Sequence, residues 1–272
     1  MELKKIFLIS TFLCFQFSLF AQSFNWKGSG EVFALEPVKD GILIGSGLLL
    51  SGGDLLLDNA LKVNRAEFDP AKTYSKDDVN GFDRLFMQEY SSSLDRTGDV
   101  MVALTMMTPA VLAVTDKEEW LTIGVMYAET LLIANGIKEV TKLAVRRDRP
   151  FMYYDPSTYP EDDIEDGDFA NSFPSGHSTM AFAGATFASY TFSKYFPDSP
   201  YRYAVTGGSY ALAFTTAALR MKSGNHFMTD VLAGAAIGTA VGFLVPWCHS
   251  LSEDSGVKLA LIGNGVAVKV EM

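Results

Sequence analysis

Six apolar stretches, at residues 41–57, 100–114, 120–136, 179–193, 203–219 and 231–247, recur along the 272-residue chain and limit its fold more than any other feature. They are too long for ordinary strands, and their Ala, Leu and Met content favours helices. Polar, Pro-rich or acidic connectors such as "NRAEFDPAKTYSKDDVNGFDR" and "YYDPSTYPEDDIEDGD" separate them, and no internal repeat or low-complexity tract is present. The expected fold is therefore all-α: one compact bundle of about six apolar helices. The tail "VKLALIGNGVAVKVEM" alternates around Gly-Asn-Gly, the pattern of a short C-terminal β-hairpin. Each apolar run lies below or at the lower edge of the ~20 residues that a bilayer span needs. Some also carry Pro109 or an acid such as Glu129 or Asp54. A membrane-embedded bundle is expected, with a soluble helical bundle as the alternative.

The N-terminus sets Lys4 and Lys5 before an apolar run from Ile6 to Phe20 and the small residue Ala21, which reads as a secretory signal over residues 1–21, with an uncleaved membrane anchor as the alternative. Beyond it the chain divides into an N-terminal helical region and connector (22–94), a helical core (95–250) and a C-terminal tail (251–272). Cys14 falls in the leader, so the exported chain keeps Cys248 alone and forms no internal disulfide. With 22 Lys+Arg against 32 Asp+Glu, the net charge of −10 opposes binding to nucleic-acid backbones. Any cationic site must be local. Export places the protein in a bacterial-type cell envelope.

Three polar clusters stand at the ends of the apolar runs: "KLAVRRDRP" from Lys142 to Pro150, Pro174-Ser175-Gly176-His177, and "RMKSGNHFMTD" with Arg220, His226 and Asp230. Antiparallel helices with short turns bring alternate connectors to one end of a bundle, so the three clusters are expected to converge. His226 and Asp230 are four apart and share a helix face, where the carboxylate can accept from one ring nitrogen and leave the other nucleophilic. Lys142, Arg149 and Arg220 supply cationic donors suited to phosphoryl oxygens. Ser175 and Gly176 let a hydroxyl and a backbone N–H approach an anion at a helix N-terminus. His177 is placed to protonate a leaving oxygen. Taken singly, these are a solvated basic run, a turn with a helix cap, and a surface pair. Their combination carries the argument. His249, the third histidine, has no comparable company and reads as structural or interfacial.

Lys142 with Arg149-Pro150, then Pro174-Ser175-Gly176-His177, then Arg220, His226 and Asp230 in order, resembles the tripartite signature of the type 2 phosphatidic acid phosphatase superfamily. The resemblance spans roughly residues 95 to 247. It implies a phosphatase acting on a phosphate monoester or pyrophosphate, most naturally on a lipid. His226 would be the nucleophile forming a phosphohistidine, Asp230 its orienting partner, and His177 the general acid. Lys142, Arg149, Ser175, Gly176 and Arg220 would bind phosphate. No metal or other cofactor is implied, and the expected partners are a phosphorylated lipid and the membrane, with no obligate protein partner. Leu219 departs from the pattern, which usually has Ser there. The expected location is the inner membrane with the active site facing the periplasm. The alternatives are a soluble periplasmic acid phosphatase of broad specificity, a vanadium haloperoxidase, and a non-enzymatic membrane or scaffold protein. The acidic loop from Glu161 to Asp168 is expected to be solvated.

Overall fold

A computed structural model describes residues 31–61, 65–251, 257–262 and 265–270; the leader over residues 1–21 lies outside them. Each of the six apolar runs lies in a helical element. The α-helices are α1 (Pro37–Leu61), α2 (Gly81–Arg84), α3 (Ser92–Met106), α4 (Trp120–Ala144), α5 (Glu161–Asp166), α6 (Gly176–Tyr195), α7 (Tyr201–Lys222) and α8 (Met228–His249). The tail pairs as an antiparallel hairpin, β1 (Val257–Ile262) with β2 (Gly265–Val270). The 100–114 run is not one α-helix: α3 ends at Met106 and the chain continues as a 3-10 segment, Thr108–Val114. Pro109, which has no N–H to give, accounts for the break.

The centre of the bundle is the pairing of α6 with α8. Gly234, Gly238 and Gly242 form a stripe at every fourth position of α8. A Cβ at these positions would stand 2.5 Å from the Ser175 carbonyl oxygen, 2.1 Å from that of Thr179 and 2.5 Å from that of Ala183. Only bare backbone fits, so the two helices touch backbone to backbone along three turns. Small residues also bind α6 to α7, where Ala181, Ala185, Ala213 and Ala217 are buried together. Larger side chains (Phe33, Leu112, Met126, Phe187) fill one end of the bundle. At the other end, aromatic loop residues form a second cluster, with Phe151 and Phe169 buried among Phe68, Tyr90 and Tyr159.

Three helical segments among the described residues are long and apolar enough to cross a membrane: Ser92–Val114, Lys117–Ala144 and Met228–His249.

Candidate active site

Backbone hydrogen bonds tie the three polar clusters together. The segment after α4 lies beside the segment before α6: Arg147 N–H donates to the Ala170 carbonyl (2.9 Å), Arg149 N–H to that of Phe169 (2.8 Å), and Ser172 N–H to that of Arg147 (2.9 Å). Phe151 N–H reaches the Gly224 carbonyl at 3.1 Å, and Ser175 N–H reaches that of Asp230 at 3.0 Å. Gly224 carries φ +78° in the turn between α7 and α8, and a Cβ there would meet the Glu89 carbonyl oxygen at 2.6 Å. The left-handed turn thus needs glycine for both conformation and space.

The result is a cavity of about 320 Å³ lined by both imidazoles, His177 and His226, by Lys142, Arg149, Arg220, Lys138 and Gly176, and by an apolar wall of Val102, Met106 and Met180. Six of the eight residues singled out from the sequence line it. The other two stand behind it. Ser175 is fully buried and caps α6, its hydroxyl accepting from the Ser178 amide at 3.4 Å and from the Ser178 hydroxyl at 3.1 Å. Asp230 is also fully buried.

The expected His226–Asp230 hydrogen bond is replaced by a different arrangement. Asp230 Oδ2 stands 3.9 Å from His226 Nδ1, too far for a hydrogen bond, while Nδ1 lies 2.7 Å from the Ser172 carbonyl oxygen. A carbonyl only accepts, so Nδ1 carries the proton and Nε2 keeps its lone pair. The tautomer that suits a nucleophile is set by backbone rather than by the carboxylate. Asp230 instead accepts from the Phe227 amide (2.8 Å), the Ser172 hydroxyl (2.5 Å) and Arg147 Nη1 (2.6 Å), which fixes the first turn of α8. Burial, with the cations Arg149, Arg220 and Lys142 and then His177 added to it, holds the His226 ring well below the usual imidazole range. The ring is neutral at pH 7.

His177 has a carboxylate partner: its Nε2 is 2.7 Å from Asp99 Oδ1. Burial and then Arg220 push its pKa down to about 4, against the opposing pull of Asp99. Arg220 Nη1 pairs closely with Asp95 and lies 3.7 Å from Asp99, while its buried Nε has no acceptor among the described residues. Gly98, between those two acids, leaves the room that Arg220 occupies; a Cβ there would stand 3.2 Å from its Cδ. Arg149 Nη2 pairs closely with Asp168, and its Nη1 bonds Asn225 Oδ1 at 2.6 Å and lies 3.3 Å from Asp163. Lys142 makes no hydrogen bond or ion pair with the described residues.

These contacts correct the reading of the acidic loop in part: Asp163 and Asp168 pair with Arg149, while Glu161, Asp162, Glu165 and Asp166 are exposed. Burial raises the Asp163 carboxyl. In Asp168 the same effect is outweighed by Arg149 and Lys142, which hold its carboxyl below the usual range.

A family profile described as the PAP2 superfamily matches residues 123–254. The chain is also 43% identical over 86 residues to a lipid A 1-phosphatase of Porphyromonas gingivalis; this covers 32% of the chain and 18% of that protein, so the chain spans about a fifth of the relative it matches. Similar solved structures include LpxE of Aquifex aeolicus (20% identity, TM-score 0.42, 60% of this chain and 91% of that one). A transmembrane PAP2 type phosphatidylglycerolphosphate phosphatase from Bacillus subtilis is similar at 22% identity and a TM-score of 0.36, covering 76% of this chain and 94% of that one.

Several residues of the site were not singled out from the sequence. Arg147 bonds Asp230 and, through Nη2, Asp83 Oδ2 at 2.7 Å. Fully buried Asp83 also accepts from the Thr229 amide (2.9 Å), the Thr229 hydroxyl (2.7 Å) and Asn80 (2.7 Å). Burial alone would raise its pKa, but Arg147, Thr229 and Asn80 outweigh that and hold the carboxyl below its ordinary value. The Arg147–Asp83 pair clamps the connector ahead of α3 to the start of α8. Asp95 and Asp99, spaced four apart on α3, gave one signal: an acidic pair sharing a face just ahead of an apolar run.

Proposed function

We propose that the protein is a membrane-embedded phosphatase that hydrolyses a phosphate monoester or pyrophosphate on a lipid through a phosphohistidine at His226. The observation that carries this reading is the cavity in which an Nε2 lone pair, a second imidazole and the cations Lys142, Arg149 and Arg220 meet. An incoming phosphate would meet the free Lys142 ammonium and the unpaired Arg220 Nε. It would compete for the guanidinium groups with Asp95, Asp163 and Asp168. His226 Nε2 then forms a bond to phosphorus while the bond to the leaving oxygen breaks, and His177 gives that oxygen a proton. Water, deprotonated by the now neutral His177, attacks the phosphohistidine and releases phosphate and His226. His177, near pH 4 in the free site, gains basicity when a bound anion offsets Arg220. That makes it an acid only once substrate is in place.

The lipid setting is supported by three helical segments of spanning length and by the apolar wall of Val102, Met106 and Met180 beside the cations. It is also supported by outward-facing apolar residues such as Leu104 and Phe214. The matched relative bears the name lipid A 1-phosphatase. The leader-like N-terminus supports placement in the inner membrane with the cavity toward the periplasm.

The test is a substrate panel on detergent-purified full-length protein: lipid A, undecaprenyl pyrophosphate, phosphatidylglycerol phosphate, phosphatidic acid and water-soluble phosphate esters. The expected result is phosphate release from one lipid class at a kcat/KM at least about tenfold above any soluble ester, a preference of ~1.4 kcal/mol. Equal turnover of soluble esters, with release of the protein from membranes by carbonate washing, would favour the soluble acid phosphatase. No phosphate release at all would remove the enzyme.

A further inference from the structure

At the end of α8 remote from the catalytic cavity, Asp40 of α1, Glu129 of α4 and His249 of α8 meet in the interior. His249 follows Asp230 by nineteen residues, a separation of about 28 Å along a helix at 1.5 Å per residue. Glu129 and the His249 side chain have no exposed surface, and Asp40 is 8% exposed. Both Glu129 oxygens lack a hydrogen-bond partner among the described residues. The nearest cation, Lys39, directs its ammonium to the Cys248 carbonyl (3.1 Å) and to Glu36 (3.3 Å).

We propose that Asp40, Glu129 and His249 form a buried site for a divalent transition metal of the zinc class, which pins α1 to α4 and α8. The histidine is set up as a ligand. Its Nδ1 lies 2.8 Å from the Val245 carbonyl oxygen and so carries a proton, which leaves Nε2 as the nitrogen a metal would take. Metal-bound histidines commonly donate their second nitrogen to a backbone carbonyl in this way. Nε2 faces Asp40 Oδ1 at 3.0 Å and Glu129 Oε2 at 3.3 Å, and the three ligand atoms all lie within 4.8 Å of one another. Zinc bonds of about 2.0–2.1 Å at tetrahedral angles give ligand-to-ligand edges of about 3.3–3.4 Å, close to the two short edges seen. A divalent cation would offset two buried carboxylates that face a single imidazole. Three protein ligands leave a fourth position for water, and a set of one nitrogen and two oxygens suits zinc while disfavouring copper(I) and iron–sulfur clusters.

The experiment loads detergent-purified full-length protein with zinc chloride, removes weakly bound metal over a mild chelating resin, and measures metal per chain by plasma mass spectrometry. Wild type and His226→Ala should each hold about one zinc, whereas Glu129→Gln and His249→Ala should hold less than a tenth of that. Zinc loading should raise the melting temperature of wild type and leave that of Glu129→Gln unmoved. Cobalt-loaded wild type, which involves no variant, should show the visible bands of a tetrahedral nitrogen and oxygen site. Wild type without zinc and without those bands overturns the proposal, because a proton then holds the cluster together. Retention of zinc by both Glu129→Gln and His249→Ala overturns it as well. Phosphate release is scored separately, so the site can fail while the phosphatase reading stands.

Discussion

The two ends of α8 use one local arrangement for opposite purposes. At the start, just before the helix, His226 directs Nδ1 to a backbone carbonyl and turns Nε2 toward a cavity shared with Lys142, Arg149 and Arg220. At the finish, His249 also directs Nδ1 to a backbone carbonyl, but turns Nε2 toward Asp40 and Glu129. The imidazole is the same in each case, and its Nδ1 is held by the same kind of bond. The surrounding charge would decide the ligand: cations suit an anion, proposed above to be a phosphate, and carboxylates suit the proposed metal. A histidine's chemistry is thus set by what faces its free nitrogen, and position on the helix says little about it.

The largest break between the two ends is in turnover. Replacing His226 by Ala should lower kcat by about 10⁴-fold or more, the scale seen when a nucleophile is removed, while Glu129→Gln retains most of the rate. Steady-state assays on the two purified variants check this. Next in size is His177→Ala, expected to lower kcat by about 10²–10⁴-fold, the usual contribution of a positioned acid. A substrate whose leaving group needs no proton should recover most of that loss. Smaller again, and felt in stability, is Asp83→Asn. It strips a buried partner from Arg147 and should cost about 3–5 kcal/mol in the unfolding equilibrium, read as a lower melting temperature.

The smallest effect lies in pH dependence. Sulfate, which does not titrate in this range, should inhibit competitively. An anion beside Arg220 raises the His177 pKa from about 4, so binding takes up a proton between the free and bound values. The inhibition constant should therefore fall as pH is lowered through that window, by at most about tenfold per unit, and His177→Ala should abolish the slope.

The bundle and the cavity were legible in the sequence to different degrees. Helix identity follows from apolar length, and short connectors on either side of α7 bring His177, Arg220 and His226 to one end, whereas the long segment from α4 to α6 gave no such guarantee for Lys142 and Arg149. The charge partners were not legible. Asp83 and Arg147 are 64 positions apart and Asp95 and Arg220 are 125 apart, and no local pattern pairs residues at such distances. The hydrogen bond expected from His226 to Asp230 is not made, for a related reason. Helical spacing puts the two close, but Phe227, Ser172 and Arg147 claim the Asp230 oxygens, and the last two donors lie in two other segments. His249 looked isolated because Asp40 and Glu129 come from other helices.

The most direct test of the catalytic reading is rapid quenching of the wild-type enzyme with radiolabelled lipid phosphate, followed by mass spectrometric mapping of the trapped peptide. The account predicts an acid-labile, alkali-stable phosphate on His226 that forms at the turnover rate and is absent from His226→Ala. Label on any other side chain, or full turnover with no labelled protein at the shortest times, would contradict it.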